Sequence, residues 1–401
     1  MNARALTLLA ALGWAASACS SSDTTSSSTS TSSTGASGTG GSGGVGGAGT
    51  GGSATTSSTS SAATSSSTGG SEPTEAIHFL GRFDKTDPQA PSFAWPGSAI
   101  VTRFSGTGLD VSLHDDGTNF FAVSIDGAEP TVLATSGAKD TYTLAQGLPD
   151  GEHDAVLFRR TESFQGAVHF HGFTAAGGKS LIPTPAPFKR RIELIGDSIT
   201  CGYGNEGAGP NCNFTAATEN EWMAYGAITA RALAAEPHVI AYSGKGAYRD
   251  NTGNVESQMP EIYGRIFADD NKSKWDFSTW TADVVVVNLG TNDFATGDPG
   301  QPYVDAYTGL VQQVRGHYPE AYILCAVGSM LSGANLTKDI AYVKGVVAAA
   351  NAAGDAKVSF VDLGQQNGNA DGYGCNYHPS VKTDQLMATK LTAAIKAVTG
   401  W

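Results

Sequence analysis

Arg190-Arg191-Ile192-Glu193-Leu194-Ile195-Gly196-Asp197-Ser198 is the segment on which the fold turns. RRIELIG reads as a buried strand, and Gly-Asp-Ser closes it. Four more runs of the same kind follow: PHVIAYSG (237–244), ADVVVVNLG (282–290), AYILCAVGS (321–329) and KVSFVDLG (357–364). Between and after them lie segments of helical periodicity, at 219–235, 303–318, 336–354 and 381–398. Continuous apolar strands alternating with helices predict a parallel sheet covered on both faces, with Val284 to Val287 as a central strand. In such sheets ligands bind at the carboxyl ends of the strands.

Those ends carry chemistry. The first strand closes on Gly196-Asp197-Ser198, the second on Ser243-Gly244-Lys245-Gly246 and the third on Gly290-Thr291-Asn292-Asp293; Cys375-Asn376-Tyr377-His378-Pro379 follows the last. Singly these are ordinary: Ser is a common helix cap, Asn a common turn residue, and His before Pro a loop residue. Together, at one edge of one sheet, a hydroxyl, a backbone-exposing Gly, an amide and an imidazole supply the nucleophile, oxyanion donors and general base that acyl transfer needs.

Upstream of the sheet the pattern is different. From Glu75 to about Leu181, short apolar runs such as SAIVTRFSG (98–106), LDVSLHDDG (109–117) and NFFAVSIDG (119–127) alternate with turns, and no helical stretch intervenes. This predicts an antiparallel β-sandwich over 73–181. A Pro-rich connector spans 182–189, and the α/β domain spans 190–401. Residues 19–72 are Ser, Thr, Gly and Ala with scarcely a charge, a flexible tether. The Gly40-Gly41-Ser42-Gly43-Gly44 match to a nucleophile-elbow pattern lies inside it, with neither strand nor helix to support it.

Residues 1–18 have a basic end, the apolar stretch LTLLAALGWAA and a small-residue end before Cys19, the plan of a secretory signal. Ala16-Ser17-Ala18-Cys19 resembles a bacterial lipoprotein cleavage box, in which Cys19 would carry lipid. Ordinary cleavage after Ala18 is the alternative. The expected location is therefore secreted, at a bacterial cell surface, with a lipid anchor as the one membrane contact. The balance of 24 Lys+Arg against 37 Asp+Glu, a net −13, argues against nucleic acid and anionic membranes as partners. A monomer is expected.

The strand-end motifs resemble those of the SGNH (GDSL) hydrolases over residues 190–398: Gly-Asp-Ser198, Gly244, Gly-Thr-Asn292-Asp and His378-Pro stand in order. IGDSITCGYG (195–204), AYSGKG (241–246) and YHPS (377–380), with HFLGRFD (78–84) and FAWPGSAIVTRFSGTGLDVSL (93–113) before them, resemble carbohydrate esterase family two. That resemblance implies a jelly-roll domain joined to a three-layer αβα domain, and removal of acetyl groups from O-acetylated polysaccharides such as xylan and glucomannan. It implies no metal and no cofactor. Ser198 would be the nucleophile and His378 the base. The backbone N–H groups of Ser198 and Gly244 and the Asn292 amide would hold the oxyanion. A lipase or thioesterase, or an inactive glycan-binding protein, are the rival readings.

The chain departs from the superfamily at the acid. Cys375 and Asn376 occupy the positions three and two before His378 where relatives carry Asp. A Ser–His dyad is expected, with Asn376, a carbonyl at Asn376 or Tyr377, or the more distant Asp371 as orienter. Cys201 with Cys212 would close the loop after the nucleophile, and Cys375 with Cys325 would brace the His loop; free thiols are the alternative. Tyr377 and Tyr248 are candidates to touch the sugar, as are Tyr203 and Trp222, although Trp222 also suits core packing. His169 and His171 alternate on one strand face and read as surface histidines.

Overall fold

The computed structural model describes residues 74–137 and 140–401; the leader, Cys19 and the tether lie outside them. The first half contains β1 (Thr74–Glu75), β2 (Ile77–Leu80), β3 (Ser92–Phe93), β4 (Ala99–Gly106), β5 (Leu109–Asp115), β6 (Phe120–Ile125), β7 (Thr131–Ala134), β8 (Thr141–Ala145), β9 (Gly151–Arg159), β10 (Val168–Ala175) and β11 (Thr184–Pro185). A five-stranded sheet, β2-β4-β9-β6-β7, packs on a four-stranded one, β3-β10-β5-β8, and every pairing is antiparallel. In β5 alternate residues Leu109, Val111 and Leu113 are buried, the period of a strand with one covered face. Strand β4 opens instead with four consecutive buried residues. Its Ile100 joins the core between the sheets, while Ala99 and Val101 pack with Trp222 and Ala227 of the second half. The sandwich sheet is therefore covered on both faces, which explains its continuous apolar runs.

The segment read as a connector is partly stitched into the sandwich. Strand β11 pairs with β1, and His78 Nε2 lies 3.0 Å from the Thr184 carbonyl.

The second half has a five-stranded parallel sheet of β12 (Arg190–Gly196), β13 (Ala235–Ala241), β14 (Val284–Asn288), β15 (Tyr322–Val327) and β16 (Val358–Asp362), in the order β13-β12-β14-β15-β16. Its helices are α1 (Ser198–Cys201), α2 (Tyr225–Ala232), α3 (Met259–Ile262), α4 (Gln301–His317), α5 (Gly333–Ala352), α6 (Gly368–Asp371) and α7 (Val381–Thr399). The strand period of two divides the core. Ile192, Leu194, Val284 and Val286 pack with residues of α2 and α7, whereas Ile195, Val285 and Val287 pack with α3, α4 and α5. The valine run is central, as its composition predicts. Helix α2 is shorter than the periodicity at 219–235 suggests. A 3₁₀ turn at Glu221–Met223 precedes it, Ala234 takes a φ of 49°, and β13 starts at Ala235.

The halves are locked together by Arg82 of the sandwich. Its guanidinium pairs with Glu193 of β12 at 3.1 Å, both side chains fully buried, and it donates to the carbonyls of Tyr263 and Arg265. Glu193 is further bonded by the Tyr263 and Tyr318 hydroxyls. Strand β12 is also where the strand order reverses, since its neighbours are the second and third strands of the sheet. The crevice at its carboxyl end is the switch point at which such sheets bind ligands.

Candidate active site

At that switch point β12 turns directly into α1. A Cβ at Gly196 would collide with the Thr200 side chain, so glycine permits the tight strand-to-helix turn. Asp197 caps the helix, accepting the Ile199 N–H at 3.0 Å. Ser198 begins α1 and is 5% exposed, and its Oγ lies 2.8 Å from Nε2 of His378. The imidazole is carried by the loop between α6 and α7, where Asn376 and Tyr377 adopt φ of 53° and 63°. Two consecutive non-glycine residues in the left-handed region are a strained arrangement of the kind that gathers at functional sites. Ser380 then caps α7.

The other ring nitrogen, Nδ1, faces the Cys375 carbonyl at 3.3 Å. Burial pulls the imidazole down to a pKa of about 4, against the carbonyls of Cys375 and Asn376, which favour the charged ring. Tyr203 packs on the imidazole with ring centres 4.3 Å apart and is itself stacked on Phe214.

Beside the Ser–His pair lie the ends of β13 and β14. Gly244 has a φ of 83°, and the buried Asn292 amide donates to the Lys245 carbonyl at 2.8 Å and to Asp197 at 3.2 Å. Burial raises the Asp197 carboxyl to about 7. Asp293 is fully buried and accepts the N–H groups of Ala247, Tyr248 and Arg249, pinning the chain that follows Gly244. A second clamp comes from the sandwich: Glu162 accepts both the N–H and the hydroxyl of Ser243. Glu162 touches Glu219, and the Cys201 thiol donates to it at 3.6 Å. Burial raises both carboxyls; Glu219, raised further by the Glu162 charge, holds the proton.

The predicted constellation of Ser198, Gly244, Asn292 and His378 is thus brought together by the strand ends. Other expectations are corrected. Asp371 is engaged elsewhere, its carboxylate paired with Lys382 at 3.0 Å, and Asn376 Oδ1 faces the Tyr203 hydroxyl. The carbonyl on Nδ1 belongs to Cys375, with Asn376 beside it, while the Tyr377 carbonyl accepts from Gln366. Trp222 is 4% exposed and packs edge-on to Phe158 under the sandwich, so it is junction core and not a sugar contact. Tyr377 is 55% exposed next to His378; Tyr248 is half-buried.

The cysteine pairing differs from both expected bridges. Cys212 bonds Cys375, while Cys201 and Cys325 are buried thiols. Cys201 closes α1 and turns inward to Glu162, out of reach of the surface loop that carries Cys212. His169 meets Asp116 at 3.2 Å and packs near His114. Sequence reading missed Glu162, Glu219 and the bonds of Asp293, because each acts on a partner that only the folded topology supplies.

The description "Carbohydrate esterase 2 N-terminal" matches residues 79–185, and "GDSL-like Lipase/Acylhydrolase family" matches 194–386. A cellulase/esterase of Acetivibrio thermocellus is 43% identical over 331 residues, 82% of this chain; the chain spans only 40% of that relative's length. An acetylxylan esterase / glucomannan deacetylase of Cellvibrio japonicus is 27% identical, covering 81% of this chain and 89% of its own. A family two carbohydrate esterase from Clostridium thermocellum, solved in complex with cellohexaose, superposes with a TM-score of 0.78 at 43% identity, covering 81% of this chain and 99% of its own.

Proposed function

Because the chain belongs to carbohydrate esterase family two, we propose that it removes O-acetyl groups from polysaccharides of the xylan and glucomannan type through an acyl-enzyme on Ser198. The observation that carries this reading is the 2.8 Å contact between Ser198 Oγ and His378 Nε2 at the sheet's switch point. Burial keeps His378 neutral at pH 7, so Nε2 can take the Ser198 proton as Oγ attacks the acetyl carbonyl. The Cys375 carbonyl accepts from Nδ1–H, which fixes the tautomer that leaves Nε2 free as a base.

The N–H groups of Ser198 and Gly244 and the Asn292 amide receive the oxyanion. Both Asn292 amide hydrogens are engaged in the resting site, and the longer bond, to Asp197, is the one that can swing to the oxyanion. His378 then returns the proton to the departing sugar hydroxyl. Water, deprotonated by the same ring, releases acetate from Ser198.

Export with a lipid on Cys19 is proposed alongside, supported by the leader pattern alone. Cys19→Ser would shift the protein from the membrane fraction to the medium.

The deciding experiment is acetate release from acetylated xylan and acetylated glucomannan by the full chain and by Ser198→Ala. Release lost in the variant supports the reading; no release by the unaltered protein from either polymer or from an aryl acetate overturns it.

A further inference from the structure

The junction of the two halves holds a cavity of about 330 Å³ remote from Ser198. Glu236 and His238, from the first half of β13, line it, with Trp275 and Trp280 from the irregular segment before β14 and Phe79 and Phe83 from the sandwich. His238 lies five residues before Ser243, roughly 16 Å along the strand from the oxyanion loop. A volume near the lower end of the usual 300–1,000 Å³ range for small-molecule sites suits one or two sugar rings.

Three ring nitrogens at this cavity have no hydrogen-bond partner: His238 Nδ1, Trp275 Nε1 and Trp280 Nε1. His238 is 2% exposed, stacked flat on Trp280 with ring centres 3.6 Å apart, and its Nε2 is held by Glu236 at 3.1 Å. Buried polar groups in native proteins are nearly always bonded, so three unmet ones around a single space point to a polar occupant. The charges on the wall, Lys85 and Lys274 against Glu236 and Asp276, cancel formally, which disfavours an ionic ligand. Four aromatic side chains add flat apolar surface. An occupant that is neutral, flat, apolar on its faces and hydroxylated on its edge is a pyranose. An apolar ligand would leave the three nitrogens unmet, and a phosphate would find no net positive charge.

We propose that this junctional cavity is a second, non-catalytic sugar site that seats a pyranose ring of the neutral glycan on which the esterase acts. The identity of that glycan rests on the esterase reading; the cavity's chemistry does not. Occupied together with the catalytic cleft, it would hold a polysaccharide at two points and raise local substrate concentration without a new catalytic contact.

The test is a titration of the full chain, labelled with ¹⁵N-tryptophan, with xylotetraose and with mannotetraose, following the indole N–H resonances. Trp275→Phe and Trp280→Phe assign the two signals. Saturable shifts of both, with Trp222 stationary, are expected. Thr279→Tyr narrows the cavity from its exposed rim and is expected to weaken binding by about tenfold while acetate release stays within about twofold. Resonances that stay fixed to the solubility limit of both sugars overturn the proposal. So do shifts that are equal in Thr279→Tyr, or that glycerol reproduces. Ser198→Ala separates the two readings, since it removes acetate release and leaves the indole shifts in place.

Discussion

Both carboxylate oxygens of Glu162 are taken by one residue, Ser243: Oε2 accepts its backbone N–H at 2.7 Å and Oε1 its hydroxyl at 2.5 Å. Ser243 immediately precedes Gly244, so a side chain of the sandwich fixes the backbone proposed to bind the oxyanion. Glu162 is a positioning residue on this view. Losing it frees the Gly244 N–H to drift, and a misplacement of about 1 Å at such a site costs on the order of 10²-fold in rate. Glu162→Ala is expected to lower kcat by about that factor with KM little changed. Glu162→Gln, which keeps one acceptor, should recover part of the loss. A kcat that tracks only the fall in melting temperature across both variants would make the role merely structural.

The buried imidazole sets the acid limb of the rate. An ordinary histidine base loses activity below about pH 6.5, but His378 protonates only near pH 4, because burial disfavours its charged form. The base is active when deprotonated, so kcat/KM should hold its plateau down to about pH 5 and fall below it. A pH profile on an aryl acetate, with tyrosine fluorescence reporting that the fold persists, checks this. A limb between pH 6 and 7 would contradict it.

The Cys212–Cys375 bond ties the loop after the nucleophile to the residue whose carbonyl holds His378, across 163 positions of sequence. Closing so long a loop contributes up to about 5 kcal/mol in the chain-entropy account. Replacing both cysteines by Ser should lower stability in urea by a few kcal/mol and reduce kcat on polymer and aryl acetate alike, since the His carrier is released. Unchanged kcat in the double variant would show that the left-handed turn at Asn376 and Tyr377 holds the ring unaided.

Tyr377 is exposed beside His378, while Tyr203 lies against the ring. A platform for the sugar would act on the polymer and not on the acetyl group. Tyr377→Ala is therefore expected to raise KM for acetylated xylan about tenfold, a loss of about 1.4 kcal/mol, and to leave hydrolysis of an aryl acetate unchanged. Equal effects on both substrates would remove Tyr377 from the sugar contacts.

Much of this site could be read in the residues because the sheet is regular. The Val284–Val287 run and its four companions could be buried only in a doubly covered sheet, and that fold carries Ser198, Gly244 and Asn292 to one edge in chain order. The His position followed from its place after the last strand. What sequence could not supply were contacts between elements distant in the chain. Glu162 stands in RRTESF, a turn after β9, and nothing in its spacing reveals that it reaches Ser243. Trp222 carries the helical signal of its neighbours, but its burial is decided by the sandwich sheet that lands on it. Cysteine pairing depended on which way Cys201 turns at the end of α1.

The ion pair of Arg82 with Glu193 bears on how such a protein can be divided. Glu193 sits in the strand that delivers the nucleophile, with no exposure to water, and its counter-charge is supplied by the other half. Removing one partner from a buried pair typically costs about 3–5 kcal/mol, a large share of a domain's entire stability. A cut at the connector would therefore strand a carboxylate in the heart of the hydrolase and remove Glu162 from its loop at the same stroke. The two halves are one inheritable unit, and recombination that shuffled either half alone would be expected to yield chains that neither fold nor turn over.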